Sequence, residues 1–183
     1  MVQKGFYFDM TTCSGCKTCQ IACKDVNNLE VGMLFRKVYD FEGGKYPNPW
    51  SFSLSISCNH CANPKCVANC PTGAMYKRLE DGIVIHRREK CIGCRMCLWS
   101  CPYGAPQYNE KSGKVGKCDG CAALVDQGEN PACVDACLMR ALHFGDIEEL
   151  KKKHDGTADV KGLPNSATTS PSLVIKPTTQ ARR

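Results

Sequence analysis

The sequence predicts an α+β fold assembled from short repeated units rather than from one large apolar core. Three observations predict it. Sixteen cysteines fall into four groups of four with none left over. A common unit recurs along the chain: a cysteine loop, a Cys-x3-Ala segment, then short extended stretches joined by a turn. Apolar stretches are brief, and none approaches the ~18 residues of a membrane helix.

Each element follows in order. Group one is Cys13-x2-Cys16-x2-Cys19-x3-Cys23. Lys24 follows it where other groups carry Pro or Leu, so its helix is expected to continue through Asp25 to Asn28. Residues 29–57 predict a β-hairpin. SFSLSIS (51–57) alternates, putting Phe52, Leu54 and Ile56 on one face, and MLFRKVYDF (33–41) pairs with it across Gly43-Gly44 to Pro49. Group two is Cys58-x2-Cys61-x4-Cys66-x3-Cys70. After it, Ala74 to Lys77 pairs with Ile83 to His86 across Asp81-Gly82. Group three is Cys91-x2-Cys94-x2-Cys97-x3-Cys101 followed by Pro102. Gln107 to Asn109 then pairs with Lys114 to Gly116 across Ser112-Gly113. Group four is Cys118-x2-Cys121-x11-Cys133-x3-Cys137. Leu142 to Phe144 reads as a strand, and Asp146 with Glu149 as a capping-box-like start of a helix ending at Lys152 or Lys153, before Gly156. Residues 157–183 are rich in Thr, Ser, Pro and Gly and hold one apolar patch, Leu173-Val174-Ile175. They are expected to be disordered or, preferably, an extended arm laid on a partner.

The charge of +6 raises the question of a nucleic-acid partner. Thiolates held on metal clusters would more than cancel that charge, so the basic residues read as compensation for buried anions and no nucleic acid is expected. The stretch MVQKGFYFDM has neither an apolar secretory core nor a twin-arginine motif. Export or membrane attachment is therefore expected through partners, with no direct membrane span.

Group three is C-x2-C-x2-C-x3-C-P, the run by which bacterial ferredoxins ligate cubane iron–sulfur clusters. Three closely spaced thiolates share one cluster, while the fourth opens a helix that leads to another, so such runs work in pairs. Group four alone would suit a structural zinc, but zinc leaves the ferredoxin runs unexplained. Disulfides are disfavoured because C-x2-C pairs rarely bridge in structural scaffolds. A zinc-structured interaction module is the non-redox alternative. A catalytic cysteine is not expected, because every cysteine has a ligand role already. His60 could donate to a cluster sulfur or be a simple loop histidine. His86, His143 and His154 read as surface or strand residues. Lys17 and Arg95 lie inside cluster loops, where a cation could raise a reduction potential or simply be solvated. Trp99 and Tyr103 read as packing around a cluster.

The segments CSGCKTCQIACK, LSISCNHCANPKCVANCPTGAM, CIGCRMCLWSCPYGAPQYN, KCDGC and ALHFGDIEELKKKHDG resemble the iron–sulfur subunits of the dimethyl sulfoxide reductase family. More broadly they are similar to the four-cluster electron-transfer subunits of membrane-linked molybdopterin oxidoreductases. The resemblance runs from about residue 5 to 177 and implies two interleaved ferredoxin-like modules with a β-hairpin insertion and an extended C-terminal arm. The outer module would comprise 1–28 plus 103–156, the insertion 29–57, the inner module 58–102 and the tail 157–183. It implies four [4Fe–4S] clusters. Cys13, Cys16, Cys19 and Cys137 would hold the first, and Cys23, Cys118, Cys121 and Cys133 the second. Cys58, Cys61, Cys66 and Cys101 would hold the third, and Cys70, Cys91, Cys94 and Cys97 the fourth. Some relatives carry Trp at one group-three position and a three-iron cluster; Cys94 here implies four irons. The implied function is single-electron relay between a quinol-oxidising membrane anchor and a catalytic subunit holding a molybdenum or tungsten bis-pterin. The implied location is membrane-associated through partners, on the periplasmic face by co-export, with a cytoplasmic location as the alternative. Relays of polysulfide or thiosulfate reductases, formate dehydrogenases or hydrogenase-linked complexes are alternatives within the same chemistry.

Overall fold

A computed structural model describes residues 2–183. The largest sheet has three strands, and its centre is β1 (Lys4–Asp9), a strand at the very start of the chain. β1 is followed by a cysteine loop and α1 (Thr18–Val26), then by the hairpin β2 (Lys37–Lys45) and β3 (Asn48–Ile56). α2 (Lys65–Ala68) leads to the hairpin β4 (Met75–Lys77) and β5 (Val84–His86), and α3 (Met96–Ser100) to the hairpin β6 (Gln107–Asn109) and β7 (Lys114–Gly116). α4 (Ala122–Val125) and α5 (Ala132–Asp135) precede β8 (Leu142–Asp146) and α6 (Ile147–Lys153), and β9 (Leu173–Lys176) lies near the end. The fold is mixed α and β, with the expected repeat of cysteine loop, short helix and hairpin.

β1 lies between antiparallel β8 and parallel β9. Phe6 faces Phe144 and Leu173 across the two ladders, and Phe8 faces Leu142 and Ile175. Phe6 and Phe8 enter the main core, whereas Tyr7 packs on the other side with Ile147, Leu150 and Val174. That double burial hides the strand from a period-2 reading, because the run GFYF is apolar throughout. Gly5 is sterically required: a Cβ there would collide with the carbonyl oxygen of Ser172.

Two expectations need correction. The tail is not an arm reaching for a partner. Leu173, Val174 and Ile175 supply β9, and Thr157 bridges Ile175 while Val160 bridges Arg182. Val160, Leu163 and Ala181 are buried in the main core. Asp159 accepts from both the amide and the hydroxyl of Ser166, so a polar segment folds by satisfying its own turns. The hairpin of residues 37–56 also runs further than expected. Gly43 pairs with Trp50 and Gly44 with Pro49 inside the ladder, and the reversal falls at Tyr46-Pro47. The glycines are needed because a Cβ at Gly43 would strike the Trp50 ring.

Other elements form where local chemistry asks for them. α1 continues past Cys23 and stops at Val26, two residues short of Asn28, which is left-handed at φ 47°. Asp146 caps α6 by accepting from the amides of Glu148 at 2.8 Å and Glu149 at 3.1 Å. No helix is long and apolar enough to cross a membrane among the described residues.

The tail's role in the core is testable. Ile175→Ala, at a fully buried position, should cost about 2–4 kcal/mol. An anaerobic thermal melt should show Tm lowered by roughly 5–15 °C; an unchanged Tm would mean the tail does not belong to the core.

Candidate metal centres

The cysteine loops share one backbone device. The residue two after the first cysteine of each group is left-handed: Gly15 at φ 69°, His60 at 43°, Gly93 at 72° and Gly120 at 70°. Glycine takes this conformation without steric cost, and it lets a tight loop carry successive cysteines. At Gly93 a Cβ would in addition collide with the carbonyl oxygen of Gly113. Lys17 (φ 62°) and Arg95 (φ 63°) repeat the left-handed turn before α1 and α3.

The Cys-x3-Ala repeat also has a physical meaning. The Ala141 amide donates to Cys137 Sγ at 3.3 Å, and the Met75 amide to Cys70 Sγ at 3.4 Å. The Ala74 amide also donates to Cys70, and the Ala105 amide to Cys101. The residue before each alanine is left-handed: Gly73, Gly104 and Arg140. Arg140 holds that conformation without being glycine, its guanidinium donating to the Asp135 carbonyl at 3.0 Å. All three alanines are buried, which leaves room for a methyl and little more.

None of the sixteen cysteines is paired in a disulfide, and they gather in space differently from their order in the chain. Cys58, Cys61, Cys66 and Cys101 line one cavity, and Cys70, Cys91, Cys94 and Cys97 another. Burial pushes the Cys13 thiol up, and its anionic neighbours are Cys19, Cys137 and Cys16. Burial pushes Cys23 up to about 12, helped by Cys133 and Cys121; buried Cys118 is raised in turn by burial and by Cys23, Cys58 and Cys133. The last cysteine of each run therefore lies with cysteines of another run. The sets also adjoin one another, since Cys19 neighbours Cys133 and Cys118 neighbours Cys58.

The residues around the sulfurs fit an acceptor-rich group. The cavity of Cys58, Cys61, Cys66 and Cys101 is also lined by Asn59, whose buried amide nitrogen has no protein partner, and by the buried hydroxyls of Tyr103 and Thr169, the latter beside Cys61. The cavity of Cys70, Cys91, Cys94 and Cys97 is lined by His86, whose Nε2 is buried and likewise unpartnered. Thiol ligands and waiting donors together suit an iron–sulfur cluster, whose sulfurs accept hydrogen bonds. Among the described residues no three His, Cys, Asp or Glu side chains close tightly enough for a single metal ion, unlike a structural zinc site.

Of the two histidine readings, His60 follows the functional one in geometry. It is fully buried, its Nδ1 accepts from the Val84 amide at 3.0 Å, and burial holds its pKa well below the usual value. The ring is neutral, with its proton on Nε2, which points at Cys118 Sγ 4.0 Å away. His86 is a strand residue, the last of β5, and it lines a cysteine cavity. Lys17 pairs with Asp40 at 2.8 Å, and the Arg95 guanidinium lies 3.7 Å over the Tyr108 ring. His154 stacks on Tyr7 and His143 lies tilted beside it on the far side of the large sheet, away from any cysteine set. Trp99 is 76% exposed and does not pack inside a site. Sequence reasoning missed Arg36 and Lys117, both buried. Lys117 Nζ donates to the carbonyls of Val84 and Cys118. A basic residue next to a cysteine, as in Lys117-Cys118, was the available signal.

These features define a protein made to hold iron–sulfur clusters, and comparison with known proteins agrees. Residues 50–147 match the family of 4Fe-4S dicluster domains, and residues 10–32 match a 4Fe-4S binding domain. The sequence is 49% identical to a chain of the anaerobic dimethyl sulfoxide reductase of Escherichia coli K12, covering 98% of this chain and 91% of that one. It is 48% identical to the corresponding chain of the Haemophilus influenzae enzyme, over 100% and 93% respectively. It is 36% identical to a subunit of the sulfite dehydrogenase of Allochromatium vinosum, over 81% and 71%. This chain therefore belongs to the family of iron–sulfur, electron-transfer subunits of dimethyl sulfoxide reductase-type molybdopterin oxidoreductases. It is a non-catalytic member of an oxidoreductase complex.

Loop glycines should differ in a predictable way. Gly93→Ala meets both the left-handed φ and the Gly113 carbonyl, whereas a Cβ at Gly104 meets nothing within 4 Å. Gly104→Ala should cost only the backbone strain of about 1–2 kcal/mol. Gly93→Ala should lower the Tm of the anaerobic protein clearly further; equal losses would contradict the loop geometry.

Proposed function

We propose that this chain carries four [4Fe–4S] clusters and relays single electrons between a quinol-oxidising membrane anchor and a catalytic subunit with a molybdenum or tungsten bis-pterin. The observation that carries this reading is the convergence of the cysteines into four sets that cut across their sequence groups. Cys13, Cys16, Cys19 and Cys137 hold the first cluster, and Cys23, Cys118, Cys121 and Cys133 the second. Cys58, Cys61, Cys66 and Cys101 hold the third, and Cys70, Cys91, Cys94 and Cys97 the fourth. Two ferredoxin-like modules are then interleaved, residues 58–102 nested inside 1–28 plus 103–156, with residues 29–57 as a hairpin insertion.

Bound, the clusters supply one-electron redox centres. The chain's residues ligate, insulate and tune them. The amides of Ala74, Ala105 and Ala141 donate to ligand sulfurs. Thr169 and Tyr103, with buried hydroxyls, line the third site, and His86, with a buried Nε2, lines the fourth. The first and fourth sets each include an exposed cysteine, Cys16 and Cys94, while the second and third have none. Exposed apolar side chains stand beside those two: Ile21, Leu138 and Met139 near the first, Ile92, Met96 and Trp99 near the fourth. This supports a linear relay, its middle sealed from water and its ends open to partners. A protein in such a complex is held at the membrane by its partners, on the periplasmic face. The dimethyl sulfoxide reductase relatives support a complex of that substrate class.

Anaerobically purified protein should contain about sixteen iron and sixteen sulfide per chain, as its sixteen cysteines imply. Stoichiometric zinc in a colourless protein would instead establish the structural-zinc alternative. Cys137→Ser should perturb the same EPR signal as Cys13→Ser and spare the signal lost in Cys118→Ser. A signal common to the Cys137 and Cys118 variants would reject the interleaved ligand sets.

A further inference from the structure

Arg36 is the largest of the fully buried side chains, at 2% exposure. A guanidinium stays protonated in proteins, and an uncompensated buried charge is very costly. None of the ion pairs among the described residues gives it a carboxylate. Its visible oxygen partners are neutral: Nη1 donates to Ser55 Oγ at 3.1 Å and Nη2 to Ser57 Oγ at 3.0 Å. The guanidinium carbon lies 4.7 Å over the Phe6 ring, and Nε is buried without a partner.

The anions it faces are sulfurs from two different sets. Ser55 Oγ accepts from Arg36, which leaves its own proton free for Cys19 Sγ, 3.4 Å away. The Arg36 amide donates to Cys23. The neighbouring sulfurs of Cys133, Cys118 and Cys19 keep its side chain charged against the effect of burial. Position explains the reach: Arg36 immediately precedes β2, and Ser55 sits in β3. The hairpin thus carries a fixed cation into the junction between two cysteine sets.

We propose that Arg36 is the shared counter-cation of the clusters held by Cys13, Cys16, Cys19, Cys137 and by Cys23, Cys118, Cys121, Cys133, and that it raises both reduction potentials. The proposal rests on the ligand sets given above. Reduction adds one negative charge to a cluster, so a nearby fixed positive charge favours the reduced form. The effect is large where water is excluded. Through the Ser55 hydroxyl, the first cluster receives an added hydrogen bond that the second does not share. Arg36 is a positioning and tuning residue; no electron resides on it.

EPR-monitored redox titration of the anaerobic holoprotein tests this, with signals assigned by Cys13→Ser and Cys118→Ser. In Arg36→Gln with full iron and sulfide content, both potentials should fall. The ratio of reduced to oxidised cluster should change on the order of tenfold, which is ~59 mV for one electron. The Cys70, Cys91, Cys94, Cys97 cluster should not move, and Arg36→Lys should restore most of the shift. Ser55→Ala should lower only the first potential, and less. Full cluster content with unmoved potentials, or an equal shift in all four, overturns the proposal and leaves the relay standing. If Arg36→Gln does not assemble, Ser55→Ala decides the matter: an assembled variant whose first potential does not fall overturns the proposal. Wild-type protein without clusters would instead remove the ligand reading, and the proposal with it.

Discussion

Sixteen sulfurs, all but those of the exposed Cys16 and Cys94 buried or half-buried, must be gathered inside a chain of 183 residues, and the rest of the structure answers that demand. Burial, helped by neighbouring cysteines, pushes thiols such as Cys23 and Cys66 up to about 12, well above the range in which they would serve as thiolate ligands at neutral pH. Something must favour the anion. The protein uses backbone amides aimed at sulfur, left-handed loop residues that make those amides available, and two buried cations, Arg36 and Lys117. The sulfurs in turn stand where an ordinary domain would place leucines: Cys19, Cys23, Cys133 and Cys137 belong to the main core with Phe6, Phe8 and Leu142.

The same demand explains the economy of the secondary structure. α2, α4 and α5 have four residues each, too few to be stable alone. Each carries or adjoins a cysteine that packs beside cysteines of another group, and that packing supports them. The hairpins β4–β5 and β6–β7 are three residues a strand and act as clamps between cysteine loops. Only the hairpin β2–β3 is long, and it uses its length to deliver Arg36, Ser55 and Ser57. Buried Ser55 near the end of β3 and Ser57 just beyond it would be a liability on an apolar face; here they hold a guanidinium, and Ser55 reaches Cys19.

The large sheet closes the molecule. β1 comes from the first residues and β9 from the last, and Ser172 beside β9 donates from its amide to Asn59 and from its hydroxyl to His60. Gln3 donates to the same His60 carbonyl. Both ends of the chain thus brace the loop of Cys58 and Cys61, and Thr169 of the tail lines that loop's cavity. His60 takes a left-handed conformation where the other groups have glycine, and these contacts hold it there.

Sequence alone determined the features whose cause is local. The cysteine spacings, the glycines two residues past the first cysteine, the Cys-x3-Ala segments, the two small hairpins and the Asp146 cap each rest on a few neighbouring residues. The iron–sulfur chemistry followed from those spacings. Four features came only with tertiary structure: β1 as a central strand, the tail as its parallel neighbour, the glycines inside the long hairpin, and the cations at the cysteine sets. β1 and β9 are apolar on both faces or set in polar surroundings, so they carry no periodicity until they pair. Arg36 looks like any basic residue before a strand. Its meaning depends on Cys19, Cys23 and Cys133, which are distant in sequence and adjacent only after folding. A buried charge is legible through its partners, and those partners are chosen by long-range packing.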